Sequence, residues 1–233
     1  MHRRFDLLIL DLDGTLVDSE ALLVGMVNET LVESGYPSAD ARGVGALIGL
    51  PLDEVFSRAA PTAEANAIAE LCTRYRLRAD APEFVRQFRL YAGVTPTLAG
   101  LHSAGLRLVI ATSKRRATTL DILRHCAVDG MIDAVIGGDC VTRGKPHPEM
   151  VHRAQAYFPT AVERTVVIGD TRFDIEMGQA AGIATCAVTY GVHAEQELRA
   201  AHPDFLIDAF GSLSDVVFDA TNHIGARPGS QTP

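Results

Sequence analysis

Short apolar runs that each stop at a polar or glycine-containing turn recur along this chain, and they constrain its fold more than any other feature. Phe5–Leu10 runs into Asp11, Leu106–Ala111 into Thr112, Ala134–Ile136 into Gly137-Gly138, and Thr165–Ile168 into Gly169-Asp170. Thr185–Thr189 and a weaker run, Phe205–Ile207 before Asp208, complete the set. Near-continuous apolar runs of this length suit strands buried on both faces, as in a parallel sheet. Helical spacing lies between them, in Leu120, Ile122 and Leu123 and again in Met150, Val151, Ala154, Tyr157 and Phe158. Strand alternating with helix predicts an α/β fold, a doubly wound and mostly parallel sheet with a Rossmann-like core and right-handed crossovers.

The stretch from Leu16 to Ala92 has a different texture. Leu22, Leu23, Met26, Val27, Thr30 and Leu31 repeat at helical spacing, as do Leu52, Val55, Phe56 and Ala59, and then Ile68, Leu71, Cys72 and Tyr75. Phe84, Val85, Phe88 and Tyr91 give a fourth set, with Pro82 placed for a first turn. An all-helical cap inserted after the first strand is the expected arrangement. The expected division is 1–16 and 93–224 for the sheet domain, 17–92 for the cap, and 225–233 for a disordered tail. Val17 and Gly93, where the chain leaves and re-enters the sheet domain, are candidate hinges.

A net charge of −8 sets a surface that repels nucleic-acid backbone and anionic lipid. No nucleic-acid or membrane partner is therefore expected, and no apolar run reaches the roughly 18 residues of a membrane span. Cys72, Cys126, Cys140 and Cys186 are widely spaced with no CxxC pair, which favours free thiols over a zinc or disulfide framework. The start, Met-His-Arg-Arg-Phe, has no apolar signal-peptide region. The expected setting is the cytoplasm, as a monomer or homodimer.

Asp11-Leu12-Asp13-Gly14-Thr15 puts two carboxylates at i and i+2 where an apolar strand ends. Strand periodicity sets both on one side at the carboxyl end of a parallel sheet, where such folds bind ligands. Two close carboxylates need a shared proton or a cation, unless the segment is simply a solvated turn. The pattern recurs where Thr165–Ile168 leads to Asp170, with Asp174 four residues on at an expected helix start. Acidic residues there also favour the helix dipole, a reading that fits Asp174 better than Asp170. Four acids brought to one sheet edge, with no paired His or Cys, point to a hard cation such as Mg²⁺.

An anionic substrate then needs donors. Thr112 closes a strand in Ala111-Thr112-Ser113-Lys114, where its hydroxyl and the following amides face the same edge. Lys145 stands between Gly144 and a stiff Pro146-His147-Pro148 entry to a helix, a backbone rigid enough to aim it.

Asp11-x-Asp13-Gly14-Thr15, Thr112, Lys145 and Gly169-Asp170-x-x-x-Asp174 resemble, in order and spacing, the four motifs of the haloacid dehalogenase-like hydrolases. The resemblance covers about residues 5–210. Ile48-Gly49-Leu50-Pro51, Gly138-Asp139 and Lys145-Pro146-His147-Pro148 look like the phosphoglycolate phosphatase-like branch. The resemblance implies that Asp11 attacks phosphorus to give an aspartyl phosphate, while Asp13 serves as general acid and then base. It implies Mg²⁺ held by Asp11, the Asp13 carbonyl and Asp170, with Asp174 supporting the site from behind or through water. It gives Thr112 and Lys145 the phosphoryl oxygens. Leu12, Thr112, Ser113 and Lys145 are the substrate contacts so expected. The Gly49-Leu50-Pro51 loop reads either as a cap contact to the leaving group, with Glu20 and Arg42 as its hydrogen-bonding neighbours, or equally as a core or helix-start segment. An acid at position 13 argues against the dehalogenases and phosphonoacetaldehyde hydrolases, which lack one.

The expected activity is thus Mg-dependent hydrolysis of a small phosphate monoester, phosphoglycolate first. Three alternatives stand beside it: phosphosugar mutation of the β-phosphoglucomutase type, hydrolysis of pyrophosphate or a nucleotide, and a non-catalytic binding relative. The last would be expected to lose Asp11, Asp13, Lys145 or Asp170, and all are present. Arg74, Arg76 and Arg78 read as a solvated helix face rather than an anion site. Lys114-Arg115-Arg116 reads either as added positive potential beside Thr112 or as surface, and His147 as packing within its turn.

Overall fold

The computed structural model describes residues 3–218. Six strands form one sheet in the order β3-β2-β1-β4-β5-β6, every neighbouring pair parallel. They are β1 (Leu7–Leu10), β2 (Arg107–Ala111), β3 (Ala134–Ile136), β4 (Thr165–Gly169), β5 (Ala184–Val188) and β6 (Phe205–Ile207). Each coincides with one of the apolar runs. Leu7, Leu8, Ile9 and Leu10 have no exposed surface, because alternate residues enter two separate apolar clusters on the two faces of the sheet. A strand clad on both sides reads as a continuous apolar run for that reason.

Between β1 and β2 the chain is helical: α1 (Glu20–Glu33), α2 (Ala41–Gly45), α3 (Leu52–Ala59), α4 (Ala65–Ala79), α5 (Pro82–Val85) and α6 (Val94–Ser103). Beyond β2 follow α7 (Arg116–His125), α8 (Glu149–Tyr157), α9 (Arg172–Ala180), α10 (Glu195–Ala200) and α11 (Leu213–Val217). Val27, Leu31, Val55, Phe56, Leu71 and Cys72, from the expected helical stripes of α1, α3 and α4, share one cluster. Phe173 of α9 enters that same cluster, so the sheet layer sends one aromatic side chain into the helical segment.

The fourth helical set is shorter than its spacing suggests. With Pro82 in its first turn, α5 ends at Val85, and Leu90 instead pairs antiparallel with Val17. Phe88 and Tyr91 are apolar because they pack on the sheet domain's cluster, which mimics helical spacing without a helix. The two chain crossings thus lie side by side, joined by Asp18 N–H to the Arg89 carbonyl and Tyr91 N–H to the Leu16 carbonyl. The expected tail, 225–233, lies outside the described residues. Among the described residues no helix is long and apolar enough to cross a membrane.

Candidate active site

The carboxyl ends of β1, β2 and β4 meet at one edge of the sheet. Asp11 extends the β1 ladder by one bond, its amide donating to the Ile168 carbonyl at 2.9 Å. Beyond β4, Thr171 caps α9 while Asp174, in the first turn, returns a bond to the Thr171 amide. That reciprocal cap satisfies two helix-end amides and fixes the Asp174 carboxylate beside the sheet edge. Dipole support and site chemistry are therefore compatible for Asp174.

Lys145 joins the two motifs. Its ammonium lies 2.6 Å from Asp11 Oδ1 and 2.6 Å from Asp174 Oδ1, and its side chain has no exposed surface. The other Asp174 oxygen accepts from the Thr171 hydroxyl at 2.6 Å, so both of its oxygens are engaged. Asp170 stands behind, fully buried. It accepts from the Thr15 hydroxyl at 3.0 Å and the Val192 amide at 2.8 Å. Gly14, at φ +79°, passes so close that a Cβ there would sit 2.0 Å from Asp170 Oδ2. A left-handed turn without a side chain is what lets the first loop lie against this carboxylate.

Asp11, Asp170 and Asp174 each present an oxygen within 4.8 Å of the other two. One ammonium pairs with two of these three buried carboxylates, and the excess of negative charge shows in their proton affinities. Burial pushes the Asp11 carboxyl up to about 7, outweighing the pull of Lys145. Burial, reinforced by the charges of Asp11 and Asp174, also raises Asp170 well above the usual carboxylate range. Burial alone would lower the Lys145 ammonium, yet the two carboxylates beside it raise it, so it stays charged. The cluster therefore suits a small hard cation, which would relieve the repulsion with oxygen donors only. Asp174 already meets the Lys145 ammonium and the Thr171 hydroxyl on its two oxygens, whereas Asp170 meets only neutral donors, the Thr15 hydroxyl and the Val192 amide.

Asp13 points elsewhere. It accepts from the Ser19 hydroxyl at 2.8 Å and lies 3.2 Å from the Lys114 ammonium. Asp11, Asp13, Thr112, Ser113, Lys145, Gly49 and Leu50 all line one cavity of about 1030 Å³. Its far wall comes from α3 and α4 of the helical segment. The Ser113 hydroxyl donates to the Gly49 carbonyl at 2.6 Å, so the Gly49-Leu50-Pro51 loop touches the sheet edge.

Other expected residues fall differently. The Leu12 side chain is fully buried in the apolar core, away from the cavity. Glu20 packs against Gly45, and neither it nor Arg42 is among the residues lining this cavity. Arg74 and Arg78 pair with Glu70 and with Glu29 and Glu33 on the surface, while Arg76 reaches the cavity rim. Lys114 is nearly buried, bound to Asp13 and stacked over the Phe88 ring at 5.2 Å. Arg115 pairs with Asp80 at 2.8 Å. His147 accepts from the Glu149 amide at 3.2 Å within its turn.

Residues 190–193 carry no motif that marks them as part of the site. Tyr190 donates to the Thr15 carbonyl at 2.8 Å, and Val192 reaches Asp170 through its main chain. Main-chain contacts carry no side-chain signature. The available signal was Gly191 just beyond a strand, where a Cβ would lie 2.3 Å from Asp170 Cβ.

Comparison with known proteins adds the lineage. The profile of the haloacid dehalogenase-like hydrolases matches residues 8–188. The chain belongs to this family. A protein of Dickeya dadantii named a probable phosphatase is 34% identical over 214 residues, covering 89% of this chain and 91% of its own. A phosphoglycolate phosphatase of Photobacterium profundum is 32% identical, covering 89% and 93%. A pyrophosphatase of Halalkalibacterium halodurans is 31% identical, covering 90% and 95%. Among solved structures, a haloacid dehalogenase-like hydrolase from Bacteroides fragilis superposes with a TM-score of 0.84 at 30% identity. It covers 90% of this chain and 99% of its own. Both the α/β fold and the likeness to the phosphoglycolate phosphatase-like branch, as expected from the motifs, stand.

Proposed function

We propose that this member of the family is a Mg²⁺-dependent phosphatase of a small phosphate monoester, phosphoglycolate-like, working through an aspartyl phosphate at Asp11. One observation carries the reading above all: Asp11 lies at the cavity wall, 2.6 Å from a buried ammonium that also grips Asp174. A carboxylate so held is oriented for attack and cannot swing into solvent.

In this reading the substrate's phosphoryl group enters between Asp11 and Thr112. An Asp11 oxygen forms a bond to phosphorus as the bond to the leaving oxygen breaks, and Asp13 gives that oxygen its proton. Asp13 then takes a proton from water, whose oxygen displaces the Asp11 carboxylate from phosphorus and releases inorganic phosphate. Thr112, Lys145 and the amides after Thr112 donate to the phosphoryl oxygens, preorganised where charge collects in the transition state. Asp11 and Asp170, with the Asp13 carbonyl, would hold Mg²⁺, and Asp174 would orient Lys145 behind them. When bound, the ion supplies charge neutralisation between the Asp11 carboxylate and the phosphate dianion.

Residues 17–92 act in this proposal as a cap, with Gly49 and Leu50 shaping the space for the leaving group and excluding water. The four free thiols fit a reducing cytoplasm, where we place the enzyme as a monomer or homodimer. Pyrophosphate is the second substrate to test, because relatives of nearly full length carry that activity in their names.

The test is phosphate release from a panel of esters and pyrophosphate, with Mg²⁺ and with chelator, by wild type and Asp11→Asn. Metal-dependent release that vanishes in Asp11→Asn is expected. Undiminished turnover by that variant would sink the mechanism.

A further inference from the structure

A buried histidine stands against the first turn of α9, outside the carboxylate cluster. His193 lies in the loop between β5 and α10 and is only 3% exposed. Its Nδ1 accepts from the Arg172 amide at 3.2 Å. That amide is the first of α9, one of those that no carbonyl of the helix itself can reach. The preceding residue, Val192, donates its amide to Asp170 Oδ2 at 2.8 Å. The Tyr190 hydroxyl holds the Thr15 carbonyl, and the Thr15 hydroxyl in turn holds Asp170 Oδ1. One short loop therefore grips Asp170 on both oxygens, directly and through Thr15, and also grips the start of the helix that carries Asp174.

Among the described residues the other ring nitrogen, Nε2, is buried without a partner. An apolar side chain would fill the space against Phe173, whose ring lies 5.4 Å away, without stranding a nitrogen. What the imidazole adds is the acceptor at Nδ1. Glu197 Oε1 is 3.4 Å from the same nitrogen but half in solvent. With the Arg172 amide donating to Nδ1, the proton of the neutral ring belongs on Nε2.

We infer that His193 is a positioning residue for the metal-site carboxylates: its Nδ1 pins the first amide of α9 and so sets the spacing of Asp170 and Asp174. The inference rests on the reading of Asp11 and Asp170 as cation ligands, with Asp174 supporting them from behind. It extends the hydrogen-bonded support that metal ligands need to a residue on a different loop.

Two measurements test it together. Long-range proton–nitrogen NMR of the wild type at neutral pH is expected to show the Nε2–H tautomer of His193. An Nδ1–H tautomer or an imidazolium would overturn the inference, because neither can accept from Arg172. Titration calorimetry with Mg²⁺ then compares wild type, His193→Leu and His193→Asn, with unfolding temperatures recorded alongside. The Leu variant is expected to bind Mg²⁺ about 10-fold or more weakly. The Asn variant, whose Oδ1 accepts from the same amide, should recover most of that loss. Both variants binding like wild type, or both losing Mg²⁺ equally, would overturn the inference. If the Leu variant does not fold, the tautomer and the Asn titration decide alone. A wild type that takes up no Mg²⁺ while showing the Nε2–H tautomer would overturn the cation reading and this inference with it. Mg²⁺ binding with the wrong tautomer overturns this inference alone.

Discussion

Replacing Lys145 with Met removes one charge and little volume from the centre of the site, and its consequences can be worked out from the geometry. The ammonium bridges Asp11 and Asp174 at 2.6 Å each, and those carboxylates are 4% and 1% exposed. Removing one partner of a buried ion pair leaves the other uncompensated, at a cost of about 3–5 kcal/mol. For a chain of this size each kcal/mol lowers the unfolding temperature by roughly 2–4 °C. Lys145→Met without Mg²⁺ at pH 7.5 should therefore unfold roughly 6–20 °C below wild type. The deficit depends on pH with a definite sign. Burial already raises the Asp11 carboxyl to about 7, and loss of the ammonium raises it further. A carboxyl whose folded value lies above its unfolded one takes up a proton on folding at mildly acid pH, so its penalty grows as pH rises. The deficit should shrink at pH 5.5 and also when Mg²⁺ is added at pH 7.5. Thermal unfolding followed by circular dichroism reads all three conditions. An unfolding temperature equal to wild type at pH 7.5 without metal, or a larger deficit at pH 5.5, would refute the electrostatic argument.

The raised Asp11 and Asp170 carboxyls compete with the cation for the same oxygens, so stabilisation of the wild type by Mg²⁺ should grow as pH rises from 5.5 through about 7. Melts with and without Mg²⁺ across that range check it, and a shift that shrinks with pH would contradict the cation site. Gly191→Ala would place a Cβ 2.5 Å from both Asp170 Oδ2 and the Gly14 carbonyl, displacing Asp170. Mg²⁺ affinity should fall about 10-fold or more, read by titration calorimetry, and unchanged affinity would remove Asp170 from the site.

Much of the sheet was legible because its strands are buried on both faces. Apolar runs ending at Asp11, Thr112 and Asp170 marked strands and their chemical ends at once. The helical segment was legible where stripes are long, as in α1 and α4. It was not where Ala41–Gly45 makes one turn from a sequence with two glycines, held by the Asp40 side chain on the Gly43 amide. Nor was the end of α5 legible, since Phe88 and Tyr91 are apolar for reasons of packing. Within the site, residue type and spacing revealed the carboxylates, the lysine and the threonine. Which partner each would take was hidden: that Lys114 would bind Asp13, that Arg76 would reach the cavity, or that Leu12 would turn into the core. The loop at 190–193 acts mainly through main-chain groups and one nitrogen of His193, which no periodicity records.

The central claim is that Asp11 carries the phosphoryl group between substrate and water. Following a phosphorothioate ester made chiral at phosphorus with two oxygen isotopes through one turnover, in water carrying the third isotope, tests it most directly. Two successive displacements at phosphorus, by Asp11 and then by water, predict retention of configuration in the released thiophosphate. Inversion would mean a single direct attack by water and would contradict the account.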